Sequence, residues 1–183
     1  LAQTSTIYIV AIDLADIDRG VYESLESRVA RHPSETAAFM LVRILAYCLE
    51  YGDGIVMTTG VSSGDEPAIV VRDLTGRITA WIEVGLPDAA RLHRAAKLAD
   101  RVAVYTHRDA RQLVAQLEGA KIHRAESIPI RAFDRASVEQ IADRFDRRSS
   151  FALTVSGGAV HVSIGDDSIE LEITEHRLAR KSG

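Results

Sequence analysis

The sequence has 183 residues, 46% hydrophobic and 26% charged, which fits one compact domain and excludes a disordered chain or a fibrous repeat. Its 22 Lys and Arg against 26 Asp and Glu leave a formal net charge of −4, which does not favour indiscriminate attraction to nucleic acid, so any phosphate binding must be local. The longest apolar stretch, Ala37 to Val42, is cut off by Arg43. That is far short of the roughly 18 apolar residues a spanning helix needs, so no membrane protein is expected. The opening LAQTSTIYIVAIDLAD has neither a basic leader nor a small-residue cleavage site, and the lone Cys48 has no internal disulfide partner. A reducing cytoplasm is the expected compartment.

In chain order, Ser5 to Leu14 is rich in β-branched residues and ends in ADIDRG, which predicts a strand and a turn. Gly20 to Ala30 carries Val21, Leu25 and Val29 four apart, the spacing of a short amphipathic helix. HPSETAAFMLVRILAYCLEYGDG then has helix punctuation: Pro33 suits the first turn, Glu35 follows, and Gly52 marks the exit. Most of its circumference is apolar except a stripe through Thr36, Arg43, Tyr47 and Glu50, so a central buried helix is expected.

Gly54 to Val61, Ala68 to Arg72 and Arg77 to Val84 read as strands of a β-meander joined by turn formers. Leu86-Pro87-Asp88 opens a helix running to about Arg101, Val102 to Tyr105 is a short buried strand, and Asp109 to Leu117 is another helix. Strand, helix, strand in that order implies a parallel pair. Lys121 to Phe133 reads as an edge strand interrupted by Pro129, and Ser137 to Phe145 as an amphipathic helix. Phe151 to Val155, Ala159 to Ile164 and Ile169 to Ile173 close the chain as a second meander with hairpin turns. No repeat or linker divides residues 1–183, so a single domain is expected.

Three acidic features stand out. Glu35 projects about 200° from Pro33, beside Phe39, Val42 and Ala46, and so faces packing; as a first-turn acid it is alternatively held by the helix dipole and a free backbone amide. Asp65-Glu66-Pro67 places paired carboxylates at the mouth of a strand, where loop acids are ordinarily solvated. Alternation through RITAWIEVG puts Glu83 on the same face as Trp81, opposite Ala80, Ile82 and Val84.

A helix acid, an acid at a strand start and an acid late in the next strand are able to meet at one Mg²⁺, the ion that phosphate-ester hydrolysis asks for. The layout is similar to a PD-(D/E)XK nuclease core, with one departure: the residue two after Glu83 is Gly85, where that core carries lysine. The following helix, DAARLHRAAKLADR, supplies cations instead. Measured from its apolar centre, Arg91 lies about 70° away, Arg94 about 130° and Lys97 nearly opposite. Arg91 is therefore nearest the sheet, whereas Lys97 is the cation suited to proton exchange. A solvated basic face is the plain alternative.

TIYIVAIDLADIDR, ARHPSET at Ala30 to Thr36, DEP at Asp65 to Pro67, WIEVGLPD at Trp81 to Asp88 and the Arg-x-x-Arg-Ala of Arg91 to Ala95 resemble the YaeQ family of bacterial proteins nearly end to end. The resemblance implies a mixed β-sheet with flanking helices: a nuclease-like core over about 1–133, then a C-terminal helix and β-meander over about 134–175. It also maps an acidic pocket onto Glu35, Asp65 or Glu66, and Glu83, and a basic helix position onto Arg91 and Arg94. Arg31 and His32 of ARHPSET fall near the amino end of the central helix, where His32 either caps the helix or meets a carboxylate.

Two functions follow as expectations. The first is a Mg²⁺-dependent phosphodiesterase on nucleic acid, with Asp65 or Glu66 and Glu83 as metal ligands, Glu35 holding a ligand or water, and Arg91 and Arg94 on the phosphate. The second is a nuclease-like scaffold that only binds, either phosphate-bearing ligands or a protein partner.

Overall fold

A computed structural model describes residues 4–58 and 65–179. The elements, in order, are β1 (Thr6–Asp16), β2 (Val21–Arg31), α1 (Ala37–Leu49), β3 (Ile55–Met57), β4 (Ile69–Arg72), β5 (Ile78–Val84), α2 (Ala89–Leu98), β6 (Arg101–Thr106), α3 (Ala110–Leu117), a 3₁₀ turn at Ala125–Ser127, β7 (Ile130–Phe133), α4 (Arg135–Ala142), β8 (Arg148–Ser156), β9 (Ala159–Ile164), β10 (Asp167–Leu171) and β11 (Ile173–His176).

The segment expected as a helix over Gly20 to Ala30 is instead β2, antiparallel to β1 from Asp16↔Val21 to Thr6↔Arg31. A four-residue spacing is a multiple of two, so Val21, Leu25 and Val29 share a face in a strand as well as in a helix. The tight turn before Val21 and the long adjacent strand decide in favour of pairing. Gly20 closes that turn at φ +69°, and buried Asp16 accepts from the Arg19 amide and from its Nε at 2.6 Å. Arg19 then reaches the carbonyl of Tyr51 at 2.9 Å, tying the hairpin to the far end of α1.

Helix α1 begins later than expected. Pro33 lies outside it, and Thr36 is the N-cap, its hydroxyl accepting from the Phe39 amide at 3.0 Å. Eight of its residues, from Met40 to Cys48, are buried, each large apolar side chain contributing about 1.5–3 kcal/mol. Full burial also pushes the Cys48 thiol up to about 12, leaving it protonated and inert.

The strands form two mixed sheets. One has the order β10-β9-β8-β1-β2, with β8 parallel to β1, so the C-terminal meander completes a sheet begun by the N-terminal hairpin. The other has the order β11-β7-β6-β5-β4-β3, in which β3, β4 and β5 form the expected antiparallel meander and β5, β6 and β7 run parallel. Residues 59–61 of the first expected strand of that meander lie outside the described residues. The expected edge strand before Phe133 is corrected: β7 starts only after Pro129 and is internal, flanked by β6 and β11. Pro129 lacks an amide donor but still accepts from Val104 at 3.0 Å, so it serves at the entrance to an inner strand. Ile173 belongs to β11, not to the meander, because the chain changes sheets at Glu172.

Helices α1 and α4 pack on each other between the sheets, whose inward side chains form one continuous core with them. Helices α2 and α3 cover the other face of the six-stranded sheet with a second cluster. The result is four layers: sheet, helices, sheet, helices. No helix among the described residues is long and apolar enough to cross a membrane.

Candidate functional site

Strand β5 divides the candidate residues between its two faces. Ala80, Ile82 and Val84 join the core under α1, whereas Trp81 joins the cluster under α2, and Glu83 follows on the same side. Glu83 is 4% exposed. Its Oε1 accepts from the indole Nε1 of Trp81 and from the Nε of Arg91, both at 2.6 Å.

The start of α2 explains why Arg91 arrives there. Asp88 caps the helix by accepting from the Arg91 amide at 2.7 Å, and Leu92, Ala95 and Ala96 seat it on the sheet. This leaves Arg91 at the margin of the apolar face, where its stem packs and its guanidinium turns to Glu83. The same guanidinium donates to the Glu66 carbonyl at 2.5 Å, and Arg94 meets the Asp65 carboxylate at 2.9 Å. Lys97, one turn further on, is exposed. Asp65, Glu66 and Glu83 are thus gathered at one edge by two arginines of α2.

Glu35 does not join them. It lies just before the N-cap of α1, on the side of the sheet opposite Glu83, and is 5% exposed. Arg43 holds both its oxygens, from Nε at 2.6 Å and from a terminal nitrogen at 3.0 Å, while the His32 amide donates to it at 3.1 Å. Arg43 also donates to the Ala30 carbonyl at 2.7 Å, and Arg31 to the Glu35 carbonyl at 2.9 Å. The His32 ring pairs locally with Ser34 at 2.6 Å. Glu35 therefore faces packing as expected but is not a first-turn acid: it precedes the N-cap, accepts from the His32 amide rather than a helix amide, and pins the β2–α1 corner.

The residues do not present a ready-made seat for Mg²⁺. Glu35 and Glu83 are each committed to an arginine on opposite faces, and no three His, Cys, Asp or Glu side chains are grouped for a metal among the described residues. The absent lysine also has a physical reason. Gly85 sits at φ +99°, donates to the Tyr105 carbonyl at 2.9 Å, and would place a Cβ 2.8 Å from the Phe39 ring. A side chain there meets both backbone strain and a core aromatic.

Sequence reasoning placed Arg91 and Arg94 near Glu83 and Asp65 but passed over the partner of Glu35 and one further cluster. Arg43 is 1% exposed inside the apolar run of α1; a single cation amid such a run is the signal of a buried ion pair. At the other end of α1, Glu50 accepts from Arg101 at 2.5 Å, Tyr105 at 2.7 Å and Arg131 at 3.1 Å. Burial, then the nearby Glu50 charge, pushes the Tyr105 phenol up, so it stays a neutral donor to Glu50. Only the fold brings those four positions together.

The family profile described as "YaeQ protein" matches residues 1–173. YaeQ of Salmonella typhi is 30% identical over 175 residues, covering 95% of this chain and 97% of that protein, and YaeQ of Escherichia coli strain K12 is 31% identical over 176 residues with the same coverage. The crystal structure of YaeQ protein from Pseudomonas syringae superposes with a TM-score of 0.84 at 32% identity, covering 93% of this chain and 95% of that one. That of YaeQ from Xanthomonas axonopodis pv. citri, at 24% identity, shares the fold with a TM-score of 0.81 over 96% and 100% of the two chains. On sequence and fold alike, the chain belongs to the YaeQ family.

Proposed function

We propose that this chain is a nuclease-like scaffold that binds phosphate-bearing ligands, the phosphates of an oligonucleotide among them, through Arg91 and Arg94, rather than one that hydrolyses them. The observation that carries the reading is the state of Glu83, buried and hydrogen-bonded to Trp81 and Arg91. A ligand for Mg²⁺ needs free oxygens beside other acids, and here an arginine takes that place. The order α1, β3–β4–β5, α2, β6 supports kinship with the PD-(D/E)XK core. Gly85 in place of lysine supports binding without turnover.

Arg94 supports the phosphate. Its pair with Asp65 is exposed, with side chains 46% and 89% accessible, and such pairs are worth only about 0–1 kcal/mol. A phosphate offers arginine a stronger, two-pronged partner, so exchanging Asp65 for it is favourable. Arg91, anchored on Glu83 and the Glu66 carbonyl, keeps its charge beside that exchange point.

The test is fluorescence anisotropy with labelled single- and double-stranded oligonucleotides, in EDTA and then with Mg²⁺ or Mn²⁺. The reading expects binding that persists in EDTA and weakens by about 1–3 kcal/mol in Arg94→Ala. Metal-dependent cleavage lost in Glu83→Ala would establish the hydrolase instead, and absence of binding in every condition would reject both.

A further inference from the structure

A different part of the molecule carries a separate site. The parallel strands β5, β6 and β7 end at one edge of their sheet, the place where open α/β sheets bind ligands. Two cavities meet there. The larger, about 640 Å³, lies between the amino ends of α3 and α4; the smaller, about 310 Å³, lies at the amino end of α1, against Phe39 and Gly85. Leu86, His107 and Arg108 line both, so the cavities share a wall. Each volume is in the range that holds a small molecule.

Two observations indicate what such a molecule carries. His107 is only 7% exposed, and its Nδ1 is buried with no hydrogen-bond partner among the described residues. Buried polar atoms are nearly always paired, so an orphan at a cavity wall marks a position for a ligand group or water. Arg108 is exposed, and its guanidinium has no hydrogen-bond or ion-pair partner among the described residues. Three acids line the larger cavity with it, and two are partly committed: Asp109 accepts from the Arg111 and Gln112 amides, and Asp134 from the Ser137 amide and hydroxyl, while Glu172 is the third. Arg135 contributes a second cation to the larger cavity, its Nε resting on Glu139. An anion gains from Arg108 and Arg135, while an apolar ring gains from Phe39 and Leu86 next door.

We infer that the joined cavities form a binding site for a small ligand with one anionic group and one flat apolar part, the anion on Arg108 and Arg135, the ring against Phe39 and Leu86, and His107 as a hydrogen-bonding partner between them. Burial, reinforced by Arg108 and Arg135, holds the imidazole below its ordinary range, so near neutral pH it is uncharged and offers one donor and one acceptor. Neither Arg91 nor Arg94 lines either cavity.

The experiment is a two-dimensional NMR titration of the whole chain with adenosine 5′-monophosphate, benzoate and adenosine, each at up to about 5 mM, a range that detects millimolar affinity. The proposal expects the monophosphate or benzoate to shift the His107 imidazole and the Arg108 amide, and adenosine, lacking the anion, to bind at least about tenfold more weakly than its monophosphate, roughly the loss of one charged contact. Response to the monophosphate alone identifies phosphate as the anion, and response to benzoate alone identifies carboxylate; either supports the site. Arg108→Ala, at an exposed position, should weaken the bound probe by at least about tenfold on the same grounds. Absence of shifts at His107 and Arg108 with both anions, or unchanged affinity in Arg108→Ala, overturns the inference. Shifts confined to Arg91 and Arg94 would also overturn it, while favouring the separate phosphate-binding edge.

Discussion

The two faces of the six-stranded sheet carry the same chemical pair in two different settings. Under α1, Glu35 and Arg43 have side chains 1% and 1% exposed; under α2, Glu83 and Arg91 have side chains 5% and 24% exposed. The first pair is sealed, with its remaining hydrogen bonds spent on the backbone of the β2–α1 corner. The second opens toward the Asp65–Glu66 turn, where an exposed ion pair with Arg94 adjoins it. Two ions removed from water hold a structure together only when every partner is supplied, whereas a half-open pair keeps a charge within reach of a ligand. The difference gives one face a sealed structural pair and leaves the other with the half-open pair on which the proposed binding rests.

The largest effect that sharpens the contrast is at the sealed pair. Arg43→Ala leaves the Glu35 carboxylate buried without its partner and should lower unfolding stability by about 3–5 kcal/mol in urea titrations. Replacing both together, Glu35→Leu with Arg43→Met, should recover much of that loss, because matched apolar residues carry no desolvation cost. A double variant as unstable as the single one would mean that the corner depends on these particular hydrogen bonds.

Introducing a lysine by Gly85→Lys should cost about 1–3 kcal/mol through the positive φ and the Phe39 ring, with no gain of cleavage in a nuclease assay. At the half-open pair, Glu83→Gln keeps the shape and removes the charge. It should cost about 1–2 kcal/mol, less than Arg43→Ala, because Arg91 is able to turn to solvent. Trp81 is the only tryptophan in the sequence and donates to Glu83, so its emission should shift in this variant and report the change directly.

A smaller effect comes from His107. Burial first, then Arg108 and Arg135, lower its folded-state pKa, with Glu139 opposing. The unfolded chain therefore binds the proton more readily. The histidine's contribution is complete above the ordinary histidine value of about 6.5 and is lost as pH falls through the lowered folded value. Comparing unfolding at about pH 7.5 and 5.5, wild type should lose more stability than His107→Asn, since histidine ordinarily titrates in that window. Smallest of all is Arg94→Ala, whose exposed pair predicts a stability change within about 0.5 kcal/mol even though ligand binding weakens.

How far the sequence reveals this can be judged from single positions. The period of two in RITAWIEV puts Trp81 and Glu83 together, and the wheel of α2 places Arg91 nearer the sheet than Lys97; the coordinates have the same arrangement. Both are local geometries that periodicity encodes. The strand at Val21–Arg31 was illegible because its apolar spacing satisfies two periods at once, and only pairing with β1 separates them. The convergence of Glu50, Tyr105 and Arg131, 55 and 81 residues apart from Glu50, depends on sheet order, which no local pattern carries. Glu35 stands out in the sequence, but on the helix wheel its partner Arg43 falls in a polar stripe, and only burial makes it the other half of an ion pair. His107 gave no signal, since its role rests on where three parallel strands end.

The central claim is that Glu83 belongs to an arginine and not to a metal, and calorimetric titration of the chain with Mg²⁺ and then Mn²⁺ tests it most directly. The account predicts no stoichiometric binding of either ion, with Trp81 emission unchanged across the titration. A saturable site near one ion per chain that disappears in Glu83→Ala would contradict it and place the hydrolytic metal centre at this edge.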